Sequence, residues 1–195
     1  VTGADVPGLF DAGFLQAGRH DLALGPTDAL DWLANQERLT FARVGVIDPL
    51  NLADYQEHGG LVGLHRAIAM QRSEIVAEVT DSGLRGRGGA GFPTGIKWKT
   101  VSALPDGQKY ICCNADEGDS GTFADRMLME GDPFCLLEGM AIAGLAVGAS
   151  EGYVYIRSEY PHAIATMKQA IRIWEDAGLL GPDVAGSGRP FRLKV

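Results

Sequence analysis

Apolar residues recur at helical spacing through the first half of the chain and switch to strand-like runs after residue 109. Leu61, Leu64 and Ile68 mark the apolar stripe of one helix. Ile75, Val76 and Val79 mark a second, which ends before Asp81-Ser82-Gly83. Asn51 is placed to cap a short helix that stops at Gly59-Gly60. Phe41 to Ile47 reads as a short strand or extended segment. Residues 1–40 carry scattered Gly and Pro and offer only a short helix after Thr27, through Ala29, Leu30 and Leu33. They read as an N-terminal extension or the end of a preceding domain, with 41–195 as a domain of its own.

Tyr110-Ile111-Cys112-Cys113 predicts a buried strand. Asp132-Pro133 predicts a helix start, with Asp as cap and Pro in the first turn. That helix runs to about Val147 and is apolar nearly all round, so burial is expected. Tyr153 to Ile156 is a second strand. Pro161 opens a helix with Ile164, Met167, Ile171 and Trp174 on one face, ended by Gly178. Phe191 to Val195 alternates like a third strand. The succession β-α-β-α-β predicts an α/β fold with a parallel sheet and right-handed crossovers. The sheet looks incomplete at the C-terminus and no initiator Met opens the chain, so a fragment of a larger subunit is expected.

The 195 residues are 46% hydrophobic and 22% charged, enough to fill a core. A net charge of −8 argues against a nucleic-acid partner, because no basic stripe is left for phosphate backbones. No apolar run approaches the ~18 residues of a membrane span. The N-terminus lacks the basic start and apolar core of a signal peptide. Cys112, Cys113 and Cys135 are odd in number, two of them adjacent, which does not suit a disulfide framework or a metal site. Core packing in a reducing, cytoplasmic setting is expected. His20, His58, His65 and His162 stand apart and read as surface or capping residues.

The segment from Gly83 to Gly95 holds six glycines and Pro93 in thirteen residues, which excludes regular helix or strand. Gly86, Gly88 and Gly91 match G-x-G-x-x-G. That fingerprint needs a strand before and a helix after, whereas here a helical pattern precedes and Phe92-Pro93 follows. A P-loop fails because Ile96 separates Lys97 from Gly95 and Trp98 follows it. The third reading is a backbone cradle, in which glycines let N–H groups approach a phosphate or a flat ring. Arg85, Arg87 and Lys97 add positive charge, and Phe92 adds a stacking surface. A plain flexible linker would be polar and would not interleave Arg, Phe and Trp.

Asn114-Ala-Asp116-Glu117-Gly118-Asp119 follows the carboxyl end of the first strand, where open α/β sheets bind ligands. Its carboxylates would repel phosphate and suit ribose or ribityl hydroxyls. Thr122 and Asp125 resemble a capping box leading into a short helix.

The run Ser82-Gly-Leu-Arg-Gly-Arg-Gly-Gly-Ala-Gly-Phe-Pro-Thr-Gly-Ile-Lys-Trp98, followed by Asn114-Ala-Asp-Glu117, resembles the NADH-binding flavoprotein subunit of respiratory complex I. The same module occurs in NAD-linked hydrogenases and soluble NAD-dependent formate dehydrogenases. The similarity extends from Gly45-Val-Ile-Asp-Pro49 through Glu138-Gly-Met140 to Gly152-Tyr-Val-Tyr-Ile-Arg157. The resemblance implies a Rossmann-like sheet, with 41–195 as the first part of an FMN- and NAD(H)-binding domain. Gly86, Arg87, Gly89, Lys97, Asn114, Asp116 and Glu117 would contact FMN. Phe92 and Asp119 would face the dinucleotide, and Gly88, Gly91 and Gly95 would complete the loop side. Complex I has Glu-Pro where this chain has Asp119-Ser120, and the aromatic that usually follows Lys-Trp has no match at Lys99-Thr100.

The implied reaction passes a hydride between NAD(H) and FMN and then single electrons to iron–sulfur clusters. No side chain need serve as acid or base. A 4Fe–4S cluster belongs to the C-terminal part of the family's subunit, and three badly spaced cysteines cannot hold it here. Asn114-Ala-Asp-Glu-Gly-Asp-Ser-Gly-Thr-Phe-Ala-Asp-Arg126 is most similar to the formate dehydrogenase branch. That branch implies a molybdenum or tungsten catalytic subunit, a small iron–sulfur subunit and NAD⁺ reduction. A noncatalytic assembly domain is the rival from another class. A nucleotide-phosphate hydrolase is disfavoured, because no hydroxyl follows Lys97 to hold Mg²⁺.

Overall fold

The computed structural model describes residues 1–26, 29–105 and 107–195. They divide into two compact units, Val1–Leu39 and Thr40–Val195. The first unit holds α1 (Val6–Asp11), a 3₁₀ turn at Phe14–Gln16 and one helical turn, α2 (Asp31–Ala34). None of these elements buries a residue. Thr27, the expected helix start, lies outside the described residues.

The second unit begins without a strand. Residues 41–47 form successive turns rather than the expected extended segment. Arg43 explains the difference, since its carbonyl accepts from the N–H groups of Val46 and Ile47 and so coils the chain locally. Asn51 caps α3 (Leu52–Glu57) as expected, its side chain accepting from Ala53 and Asp54 N–H. In α4 (Val62–Ile68) Leu64 and Ala67 are buried, with Leu61 buried at the cap. Helix α5 (Arg72–Asp81) buries Ile75 and Val76. Helix α6 (Thr94–Ser102), which starts directly after Pro93, has no counterpart among the expected elements. The glycine-rich segment therefore links two helices and ends one residue before Thr94, short of Gly95.

Strands β1 (Tyr110–Ala115), β2 (Glu151–Ile156) and β3 (Arg192–Lys194) form a parallel sheet in the order β1-β2-β3. The first crossover carries α7 (Ala124–Gly131) and α8 (Pro133–Val147), the second α9 (Pro161–Asp176). The expected α/β class and β-α-β-α-β path are both present. Helix α8 is buried nearly all round, from Pro133 and Phe134 to Val147. Its Gly144 lies against Phe191, whose ring a Cβ there would meet at 2.6 Å. Helix α9 buries Met167, Ile171 and Trp174, while Ile164 is only half-buried.

The expectation of a fully buried first strand is corrected. Tyr110, Cys112 and Asn114 are exposed, and Ala115 is the strand's buried residue. Tyr153 and Tyr155 are exposed beside them, whereas Gly152 and Val154 face inward. The strand order follows the chain order, so two crossovers of the same hand stack their helices on one face. The other face stays open, and Cys112 lies on it rather than in the core. Burial pushes the Cys113 thiol up to about 11, with Asp125 and Cys112 adding to it.

Two carboxylates are buried, Glu138 and the expected helix cap Asp132. Glu138, on α8, accepts from the Tyr55 hydroxyl and from the N–H groups of Leu61 at 2.9 Å and Leu64 at 2.8 Å. It thereby fills the open N-terminus of α4. Burial, and Glu138 beside it, hold the Tyr55 hydroxyl far above its ordinary range. Asp132 is fully buried and takes Arg43 Nε at 2.8 Å. Its side chain makes no capping hydrogen bond, so it starts α8 by position. Burial raises its pKa, and the Arg43 charge offsets part of that rise. Among the described residues no helix is long and apolar enough to cross a membrane, and no group of His, Cys, Asp and Glu is placed to hold a metal ion.

Candidate functional site

The glycine-rich segment closes on itself. Gly86 N–H donates to the Phe92 carbonyl at 2.8 Å and Thr94 N–H to the Leu84 carbonyl at 2.9 Å. Arg85 and Pro93 form an antiparallel bridge across its neck. Arg85 Nε donates to the Gly91 carbonyl at 2.6 Å, so this arginine braces the loop from within. Arg87 Nη1 donates to the Arg85 carbonyl at 3.1 Å. At the tip Gly89 has φ 91°, a conformation side chains oppose, and added Cβ atoms at Gly88 and Gly89 would meet nothing within 4 Å. The tip is bare backbone facing open space.

The acidic segment leaves the carboxyl end of β1 and approaches that tip. A cleft of about 510 Å³ lies between them, lined by Arg87, Gly88 and Gly89 on one side. Asn114, Asp116, Glu117, Gly118 and Asp119 line the other side, with Thr122, Ala124 and Asp125 at the start of α7. Seven of the twelve expected site residues meet there: Arg87, Gly88, Gly89, Asn114, Asp116, Glu117 and Asp119. Its volume lies within the roughly 300–1,000 Å³ of cofactor clefts. The donor set suits a flavin nucleotide: bare loop amides and a guanidinium face a wall of carboxylates and one amide. The residues fit FMN.

The other five stand apart. Gly86 and Gly91 shape the loop's neck. Phe92 is 46% exposed, and Lys97 Nζ lies 5.6 Å from its ring centre. Lys97 projects from the first turn of α6 and does not line the cleft. Gly95 is buried in α6 against Thr80 of α5, where a Cβ would come within 2.5 Å of the Thr80 Cα. Its place is one of helix–helix packing.

Glu117 is the most heavily hydrogen-bonded carboxylate of the acidic wall. Its Oε1 accepts from Asp125 N–H at 2.9 Å and its Oε2 from Arg126 N–H at 3.2 Å. It therefore caps α7, the role the sequence suggested for Thr122 and Asp125. The expected capping box is absent, and Phe123, with φ 53°, occupies the cap position without a side-chain bond. Tyr160 Oη also donates to Glu117 Oε2, at 3.1 Å, and Arg157 Nη1 donates to the Glu117 carbonyl at 2.9 Å. Burial alone would raise the Glu117 carboxyl, but these N–H groups and the Tyr160 hydroxyl outweigh it and hold the carboxyl below its ordinary value. Glu117 itself has φ 47°, which costs roughly 1–2 kcal/mol for a residue with a Cβ. Arg157 and Tyr160 were not among the expected residues. They follow the carboxyl end of β2, the same edge of the sheet as Asn114, and that position was the available signal.

The family described as Complex1_51K, Nuo51 FMN-binding domain, matches residues 79–194. The NADP-reducing hydrogenase subunit HndC of Solidesulfovibrio fructosivorans is 49% identical over 160 residues, covering 82% of this chain and 32% of that protein. An NADH-quinone oxidoreductase subunit of Rhizobium meliloti (strain 1021) is 47% identical over 160 residues, 82% of this chain and 38% of that protein. Among solved structures, an NAD+-reducing NiFe-hydrogenase in the air-oxidized state superposes with a TM-score of 0.59 at 27% identity, covering 100% of this chain and 30% of the other. The chain thus spans about a third of the length of these relatives. The family and the FMN cofactor expected from the residues are borne out, and the relatives' names carry NADH, NAD+ or NADP. None of these names mentions formate. The chain belongs to the Nuo51 FMN-binding domain family.

Proposed function

We propose that this chain supplies part of the site at which NAD(H) and FMN exchange a hydride in a larger oxidoreductase. One observation carries the reading. The bare-backbone tip at Gly88-Gly89 and the acidic segment Asn114–Asp119, distant in sequence, line one cleft at the carboxyl edge of a parallel sheet. When bound, FMN supplies the exchange of two electrons with a nicotinamide and of single electrons with iron–sulfur clusters. The chain's residues bind and orient. Arg87 and the amides of Gly88 and Gly89 offer donors on one wall. Asn114 and Asp116 offer hydrogen bonds to hydroxyls on the other. Phe92 and Asp119 are assigned to the dinucleotide side. No residue of the cleft is assigned a proton to move.

The finer assignment is NAD⁺ reduction in a cytoplasmic formate dehydrogenase, with partners that carry iron–sulfur clusters and molybdenum or tungsten. It rests on Gly118-Asp119-Ser120, where complex I has Glu-Pro at the last two positions.

The test uses the intact subunit purified with its partners. Extraction should release FMN, and Asn114→Ala should lower flavin content without lowering the melting temperature of the flavin-free protein. Full flavin content in that variant overturns the cleft assignment. Metal analysis with formate-dependent NAD⁺ reduction tests the branch. Nickel with hydrogen oxidation, and neither molybdenum nor tungsten, moves the chain to the hydrogenase branch.

A further inference from the structure

A non-glycine residue held at positive φ persists only where its surroundings over-determine it. Two such residues, Glu117 and Phe123, bracket the segment 118–122 that closes the acidic wall of the cleft. Both ends are tied to the same side chain. The Tyr160 hydroxyl donates to Glu117 Oε2 at 3.1 Å, and the Tyr160 ring lies 6.4 Å from that of Phe123. Tyr160 is only 5% exposed, and its ring is flanked by two guanidinium groups, Arg126 at 5.5 Å and Arg157 at 5.4 Å. Arg157 fixes the Glu117 carbonyl, and Arg126 also covers the Phe123 ring at 5.6 Å. The arginines thus hold the tyrosine as well as the segment it serves.

We propose that Tyr160 and Arg157 are positioning residues of the flavin site: from the turn after β2 they lock Glu117 and the segment 118–122 into the conformation that forms the cleft's acidic wall. The assignment rests on the FMN reading above. Neither residue lines the cleft, so their effect on a bound flavin passes through Glu117. The hydroxyl of Tyr160 carries one of four hydrogen bonds to Glu117, and Tyr160→Phe removes it while keeping the ring between the two guanidinium groups.

The experiment is a double-mutant cycle on FMN affinity in the intact subunit, read by flavin fluorescence quenching and by the induced visible circular dichroism of the flavin. Tyr160→Phe should weaken FMN binding roughly three- to tenfold and reduce the dichroism band, with at most a small fall in the flavin-free melting temperature. Glu117→Gln should act in the same direction. Tyr160→Phe added to Glu117→Gln should cost little more, because the shared bond is already impaired. Arg157→Lys supplies a second entry to the cycle if Tyr160→Phe folds poorly. Independent, multiplying losses, or unchanged FMN affinity in Tyr160→Phe, would overturn the positioning role. Asn114→Ala separates this failure from that of the underlying reading. If it weakens FMN while Tyr160→Phe does not, only the positioning role falls. If neither has any effect, the flavin cleft falls with it.

Discussion

Gly95 offers a sharp test of what the end of the glycine-rich segment is for. The resemblance places it on the cofactor, whereas the structure buries it between helices. Its backbone is helical, so alanine meets no conformational objection, and the added Cβ gains about 1 kcal/mol of helix propensity at most. Against that gain stands contact with Thr80. The Cβ would lie 2.5 Å from the Thr80 Cα, close to its Cβ, and against its Oγ1, which already donates to the Val76 carbonyl at 2.7 Å. The obstruction is backbone, so rotating a side chain cannot relieve it and α5 and α6 must separate. Overpacking of this kind costs roughly 1–3 kcal/mol, towards the upper end here. The net expectation for Gly95→Ala is a loss of about 1–2 kcal/mol. In a unit of this size that lowers the melting temperature by roughly 2–8 °C. Chemical denaturation of the flavin-free protein measures it, with an FMN titration alongside. Unchanged stability together with lost FMN affinity would refute the packing argument and return Gly95 to the ligand.

Glu138→Ala should destabilise by at least about 3 kcal/mol in the same denaturation assay, because the Tyr55 hydroxyl and two amides of α4 lose their buried acceptor. Glu117, whose folded pKa is depressed, contributes stability that is present above the ordinary carboxylate range and lost as pH falls through the lowered value. The stability gap between wild type and Glu117→Gln, followed by denaturation across pH, should therefore hold steady above about pH 5 and close below it. Steady-state assays should show NAD favoured over NADP, since a 2′-phosphate would face Asp116, Glu117 and Asp119. Equal efficiency would mean that these carboxylates point away from the ribose. The NADP-reducing name of the Solidesulfovibrio relative makes that comparison informative.

Periodicity was sufficient for the long elements. The all-round apolar run of α8 and the one-faced stripe of α9 could be read directly, as could the caps at Asn51 and Gly178. The cleft was legible in its chemistry, since glycines without Cβ atoms and acids after a strand each carry local meaning. What stayed hidden depended on partners far away in the chain. Helix α6 follows a proline and has no clear apolar stripe, so only its packing on α5 and α8 reveals it. Glu117 looked like a ligand and not a cap, because the N–H groups it serves lie eight and nine residues on, beyond any capping-box spacing. Glu138 looked like an ordinary charged position and Asp132 like a plain helix cap, because nothing in sequence links them to Leu61, Tyr55 or Arg43. Cys112 read as core because a strand inside a parallel sheet is normally covered on both sides, and this one is covered on one.

The capping of α4 by Glu138 also bears on the order in which the molecule assembles. The amides of Leu61 and Leu64 end on a carboxylate 77 and 74 residues later in the chain. An N-terminus closed by its own neighbouring residues can form while the chain is still extended, but this one closes only when α8 docks. The first turn of α4 is therefore a late, non-local event in folding. In hydrogen–deuterium exchange those two amides should behave as reporters of α8, opening with its separation from α4 and not with local fraying at the exposed Gly59 beside them.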